Sequence, residues 1–283
     1  NLVESAAQLR PETMTILSGT CFYQSIIPYC DKAMMINKRI KHEPLNLMSY
    51  LQPLALSIQE DDPDKITKLL KLMAKTAYSD NHFYLLPNFQ EAINRYATAH
   101  PMPQEVVDNE LAFFLKLQSP SDAAKESRKK HMRAELMYLV EASTLMSFPL
   151  PSFRALMDFC KENTSFQNQC LQIGDILIEK SRDEISTIIG YNIKASVFEA
   201  LNKKEALNSV QSQLETYKEK RQCLLDYISQ HRFNDVLKGI QLDRIRSNPK
   251  NTEFENFIKQ TEYLYAQRKD ESGVKNPASC LKE

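Results

Sequence analysis

Over residues 153–201 the apolar side chains keep helical spacing through three successive segments, and a cysteine stands on each side of the first break. Phe153, Leu156, Met157 and Cys160 follow the i, i+3, i+4, i+7 pattern of an amphipathic helix, with Ser152 placed to cap it. Residues 161–165 are polar and turn-like. A second helix carries Phe166, Cys170, Ile173 and Leu177, and a third carries Ile185, Ile188, Ile189, Ile193, Val197 and Leu201. Helices joined by so short a turn pack antiparallel. Cys160 ends one helix and Cys170 lies about one turn inside the next, so the two thiols can meet across the hairpin. A disulfide there requires Cα atoms within roughly 7 Å. The alternative is two buried free thiols, which pack as small hydrophobes.

The rest of the composition agrees with helix. Only five glycines occur among 283 residues, and Leu, Ala, Lys, Glu and Gln are common. Basic and acidic residues balance at 36 each, whereas a dedicated nucleic-acid binder needs a basic surplus. No run approaches the roughly 18 apolar residues of a membrane span, so no transmembrane segment is expected. The six cysteines are Cys21, Cys30, Cys160, Cys170, Cys223 and Cys280, and none forms C-x-x-C. Cys21–Cys30 and Cys160–Cys170 are close enough in sequence for local bridges, and Cys223–Cys280 follows by elimination. Such staples belong to an oxidising compartment. A first residue of Asn1 rather than Met fits a processed or trimmed chain. Together these lead to the expectation of an exported protein, periplasmic or secreted.

Punctuation along the chain sets the element boundaries. Pro28 interrupts an early apolar pattern, and Pro53 falls within another. Asp62-Pro63 is a helix start, with Ile66, Leu69, Leu70 and Met73 forming one face. Pro103 opens a helix with Val106, Val107, Leu111 and Phe114, and a long helix to about Ser147 uses Met132, Leu136, Leu139 and Val140. Pro149-Leu150-Pro151 forbids a continuous helix and marks a sharp turn. It divides an N-terminal helical array, 1–148, from a C-terminal helical region, 152–283. Residues 203–230 read as a long polar helix with a thin apolar seam. Thr252 with Glu255 is a capping box, and the tail from Asp270 is polar and irregular. The fold class is all-α: an irregular antiparallel array, repeat-like in its N-terminal part, with a disulfide-stapled C-terminal part. No fixed period aligns the N-terminal helices, and the tetratricopeptide pattern is not met.

No sequence motif carries chemistry. His42, His82, His100, His131 and His231 lie more than a helical turn apart, and H-E-x-x-H, G-x-S-x-G and Gly-rich phosphate loops are missing. No catalytic residue, metal ligand or cofactor is assigned, and each histidine is expected to tolerate alanine. Asp175, Glu179, Asp183 and Glu184 read as a solvated acidic face, and Gly190 as a site of close helix packing. Two features are candidate partner-binding surfaces. One is the aromatic loop region of Tyr78, Phe83 and Tyr84; the other is the basic cluster of Arg128, Lys129 and Lys130, suited to an acidic partner or to peripheral contact with anionic lipid.

The pattern Cys160, Cys170-Leu171-Gln172-Ile173, Leu177-Ile178, Ser181 and Gly190 after a helical array resembles uncharacterised helical envelope proteins of Gram-negative bacteria. The resemblance spans about residues 153–195. It implies export and brings no catalytic residues. The expected function is a non-enzymatic helical interaction or scaffold protein of the bacterial envelope or exterior, binding a protein or peptide. The alternatives are an enzyme or toxin-like effector with a site assembled from distant residues, and a carrier of a lipid or small apolar ligand between helices.

Overall fold

The computed structural model describes residues 31–80, 82, 95–96, 98–117, 122–146, 152–231, 235–246, 248, 251–269 and 274–282. Among them are eleven α-helices and no strand. In chain order the helices are α1 (Lys32–His42), α2 (Met48–Gln59), α3 (Pro63–Met73), α4 (Gln104–Leu117) and α5 (Asp122–Met146). There follow α6 (Arg154–Glu162), α7 (Gln167–Glu179), α8 (Glu184–Ala200), α9 (Lys204–Gln230), α10 (Val236–Arg246) and α11 (Glu253–Arg268). Short 3-10 turns occupy Thr164–Phe166 and Pro277–Leu281.

The helices gather into two compact units, and the chain visits each twice. One unit comprises Asn1–Phe83 and Phe148–Lys218; the other comprises Tyr84–Ser147 and Glu219–Glu283. The sequence parts 1–148 and 152–283 therefore each contribute to both units. Pro149 and Pro151 lie outside the described residues, as does the Cys21–Cys30 pair.

The first unit is built on α2, α3, α6, α7 and α8, whose apolar faces share one core. Leu47, Met48, Leu54, Leu70, Met73, Ile173 and Leu177 are wholly buried in it. Asp62 accepts a hydrogen bond from the Lys65 N–H at 3.0 Å and Pro63 occupies the first helical position, so α3 starts as its sequence dictates. Cys160 and Cys170 are bonded across the α6–α7 turn, their Cα atoms 5.7 Å apart and both side chains buried. α6 begins differently from expectation. Phe153 occupies the cap position, and Ser152 Oγ accepts only a long 3.4 Å contact from the Arg154 N–H.

α7 and α8 cross closely at Gly174 and Gly190. A methyl group on Gly190 would lie 2.7 Å from the Gly174 carbonyl oxygen and 2.8 Å from Leu177 Cβ. Only glycine lets these two backbones approach so closely. The crossing also turns α8: Ser186, Thr187, Gly190, Ile193 and Val197 face inward, and Ile185 is half exposed. The acidic face expected on these helices is not solvated throughout. Asp183 and Glu184 are buried, Asp183 capping α8 through the Ser186 N–H at 2.8 Å, and Asp175 pairs with Lys194.

The second unit packs α4 on α5 through Val107, Leu111, Met132 and Leu136, and α5 and α11 each on α10. Leu139, expected on the α5 seam, is 40% exposed. The capping box of α11 is present, Thr252 Oγ1 accepting from the Glu255 N–H and Glu255 accepting from the Thr252 N–H. The tail is more ordered than its composition suggests. Residues Pro277–Leu281 form a 3-10 turn with Pro277 and Cys280 buried, and Cys280 is bonded to Cys223 of α9.

Candidate functional site

In the first unit, three connecting segments run side by side. The Leu47 N–H donates to the Tyr78 carbonyl at 2.9 Å, and the Ala77 and Tyr78 N–H groups donate to Leu45. The Ser79 N–H donates to Lys180, and the Arg182 N–H returns to Ser79 at 3.2 Å. The two resulting parallel bridges, Asn46 with Tyr78 and Ser79 with Ser181, tie the α1–α2 and α7–α8 connections to the segment after α3. Backbone groups that would otherwise be buried without partners are satisfied in this way.

Asn46, fully buried, stitches the same segments with its side chain. Its Nδ2 donates to the Asp80 carbonyl at 2.7 Å, and its Oδ1 accepts from the Asp80 and Met48 N–H groups. Asp80 in turn accepts from the His82 N–H at 2.8 Å, a turn that holds His82 at a left-handed φ of 53°. The ring is thereby aimed at Glu43, the residue that ends α1. His82 Nε2 lies 2.6 Å from Glu43 Oε1, and His82 Nδ1 lies 3.6 Å from Asp80 Oδ2. Arg182 Nη1 is 3.3 Å from the same Asp80 oxygen, and the Tyr78 hydroxyl donates to Glu43 at 3.3 Å.

The electrostatics follow from these partners. Burial opposes charge on Glu43, but the His82 hydrogen bond, the charges of His82 and Arg39 and the Asn46 hydrogen bond outweigh it and hold the carboxyl below its ordinary range. Burial likewise opposes charge on His82. The Glu43 hydrogen bond and the charges of Asp80 and Glu43 outweigh it, and the imidazole pKa is raised. A carboxylate only accepts, so Nε2 carries the proton toward Glu43. Burial and the Glu43 charge push the Tyr78 hydroxyl up to about 12, keeping it a donor. The arrangement sets the His82 ring between two carboxylates that favour its protonated form. Among the described residues no group of three or more His, Cys, Asp or Glu is placed to hold a metal ion.

Of the residues singled out from sequence, Tyr78 belongs to this centre, its hydroxyl turned inward to Glu43. Phe83 and Tyr84 lie outside the described residues. In the second unit, Arg128 is bonded to Glu135 at 3.1 Å and Lys129 to Glu126 at 2.8 Å, while Lys130 is exposed. From the sequence, His82 is only one of five separate histidines with no local partner, and Glu43, Asn46 and Asp80 carry no signal of their own. The one local hint is Asp80 two residues before His82, the spacing of a side-chain turn.

A separate feature of the second unit is the two-sided character of α4. Val107 and Leu111 pack on α5, whereas Val106 and Phe113, seven residues apart and so on a common face, are 42% and 54% exposed. Neither a family model nor a curated protein nor a solved structure matches this chain.

Proposed function

We propose that the chain is a non-enzymatic helical interaction or scaffold protein of the bacterial cell envelope or exterior, presenting a helix face to a protein or peptide partner. The observation that carries this reading is the pair of exposed apolar side chains Val106 and Phe113 on α4, on a different side of the helix from Val107 and Leu111, which are committed to α5. Apolar side chains recurring along one exposed helix face are what a partner groove or helix recognises. The two disulfides support the oxidising location. The test is a pull-down from the native envelope fraction with the full chain and with the Val106→Ser, Phe113→Ser double variant. A partner held by the first and lost by the second, with unchanged circular dichroism, supports the proposal. Equal capture by both overturns it.

The cluster of Glu43, Asp80 and His82 favours a second reading, an enzyme or toxin-like effector whose site is assembled from distant residues. It predicts that His82→Asn abolishes biological activity in a protein that still folds. Retained activity removes it.

A further inference from the structure

The two disulfides differ in what surrounds them. Cys160 and Cys170 are 2% and 0% exposed, inside the main core of the first unit. In the second unit, Cys223 is an exposed residue on α9, and only its partner Cys280 is buried. Cys280 belongs to the short 3-10 turn Pro277–Leu281, in which the Ala278 and Ser279 N–H groups turn back on Asn276. This segment covers apolar surface at both ends. Cys280 completes a cluster with Leu224 of α9 and Phe257 of α11, which are 0% and 1% exposed beneath it, and Leu281 packs on the same cluster. Val274 packs on the neighbouring cluster of Tyr227, Leu242 and Leu264.

We propose that Cys223–Cys280 is a reducible latch, and that its opening releases the 274–282 segment and uncovers the apolar seam between α9 and α11. The attacking species is a dithiol reductant. Its thiolate bonds to the sulfur of the exposed residue Cys223, the Cys223–Cys280 bond breaks, and Cys280 leaves as a thiolate. The second thiol of the reductant then attacks the mixed disulfide and frees Cys223. The reductant ends as a disulfide and the protein as two thiols, two electrons and two protons having passed to it. Exchange depends on access of the thiolate to a sulfur, so the bridge buried in the first unit reacts more slowly. Leu224 and Phe257 lose one wall when the segment leaves, whereas the helices that present them remain.

The test uses the full chain, treated with limiting dithiothreitol and sampled over time by alkylation and peptide mapping. Cys223 and Cys280 are expected to be alkylated roughly ten-fold or more faster than Cys160 and Cys170, as their access differs. Fluorescence of an apolar-surface dye should rise in step with that labelling, with the helical circular dichroism retained. Cys280→Ser should show the raised dye signal without reductant. Equal labelling of the four cysteines overturns the proposal. So does labelling of Cys223 and Cys280 with no rise in dye binding, or with loss of helical signal, since the bridge would then be either irrelevant to the segment or a support of the whole unit.

Discussion

His82 sits at a backbone angle that few side chains adopt, and it is held there by Asp80 and Glu43. Its stability contribution depends on pH in a defined sense. The raised His82 pKa means that its contribution is full below the ordinary value of 6.5 and fades as pH climbs through the folded-state value. The lowered Glu43 pKa means that its contribution is full above 4.5 and fades as pH falls through the folded-state value. Both are complete only between those values. His82→Asn keeps a residue tolerant of positive φ but removes the imidazolium, at a cost of about 2–3 kcal/mol from a charge-assisted bond and a less compensated buried carboxylate. The melting-temperature gap between the natural chain and this variant should be widest near pH 4.5–6.5 and narrow toward pH 9. A gap that does not change with pH would show that His82 acts by shape alone. The centre was hard to see in the sequence because its partners are 39 residues apart, and no periodicity links Glu43 to His82. What was legible was local: Asp62 before Pro63, and Thr252 three residues before Glu255.

Helices were readable where a clean apolar stripe keeps helical spacing, as in α3; the α6–α7 turn was read correctly at its disulfide, but α6 packs on α8 and α2 rather than along α7 as expected. The reading slipped where a helix has polar residues facing inward. In α8 the close approach at Gly190 brings Ser186 and Thr187 to the inner side and leaves Ile185 outside, an outcome that hydrophobicity alone assigns the other way round. Gly190 was recognised as a packing position, but Gly174, the residue it meets, was not. Two alanine substitutions separate packing from helix propensity. Gly190→Ala should destabilise by about 2 kcal/mol, because its methyl group meets backbone and core atoms that cannot yield cheaply. Gly239→Ala, in α10, meets nothing within 4 Å and should stabilise by about 0.5–1 kcal/mol. Urea unfolding of the two variants checks both signs. Thr252→Ala, which opens the capping box of α11, should cost about 1 kcal/mol by the same measurement.

At the scale of the molecule, the all-helical class and the Cys160–Cys170 and Cys223–Cys280 bridges were legible, because spacing and cysteine count are properties of the sequence itself. The assembly of each unit from two separate stretches was not, since no local pattern records which distant helix a given face will meet. The bridges enclose different lengths of chain, ten residues for Cys160–Cys170 and 57 for Cys223–Cys280. A chain-entropy model gives about 3 and about 4 kcal/mol for them. Full reduction should therefore lower the melting temperature while leaving the room-temperature circular dichroism helical. If reduction leaves the melting temperature unchanged, the bridges do not constrain the unfolded chain.

The alternation of the units also sets a timetable for synthesis. A ribosome delivers the first stretch of both units before the second stretch of either. The α4–α5 pair must wait, with its side toward α10 unpartnered, while the whole of Phe148–Lys218 emerges. The partner of Cys160 follows it by ten residues, whereas the partner of Cys223 follows it by 57, after every α-helix among the described residues has been made. The bridge whose second cysteine is made last is thus the one with an exposed cysteine.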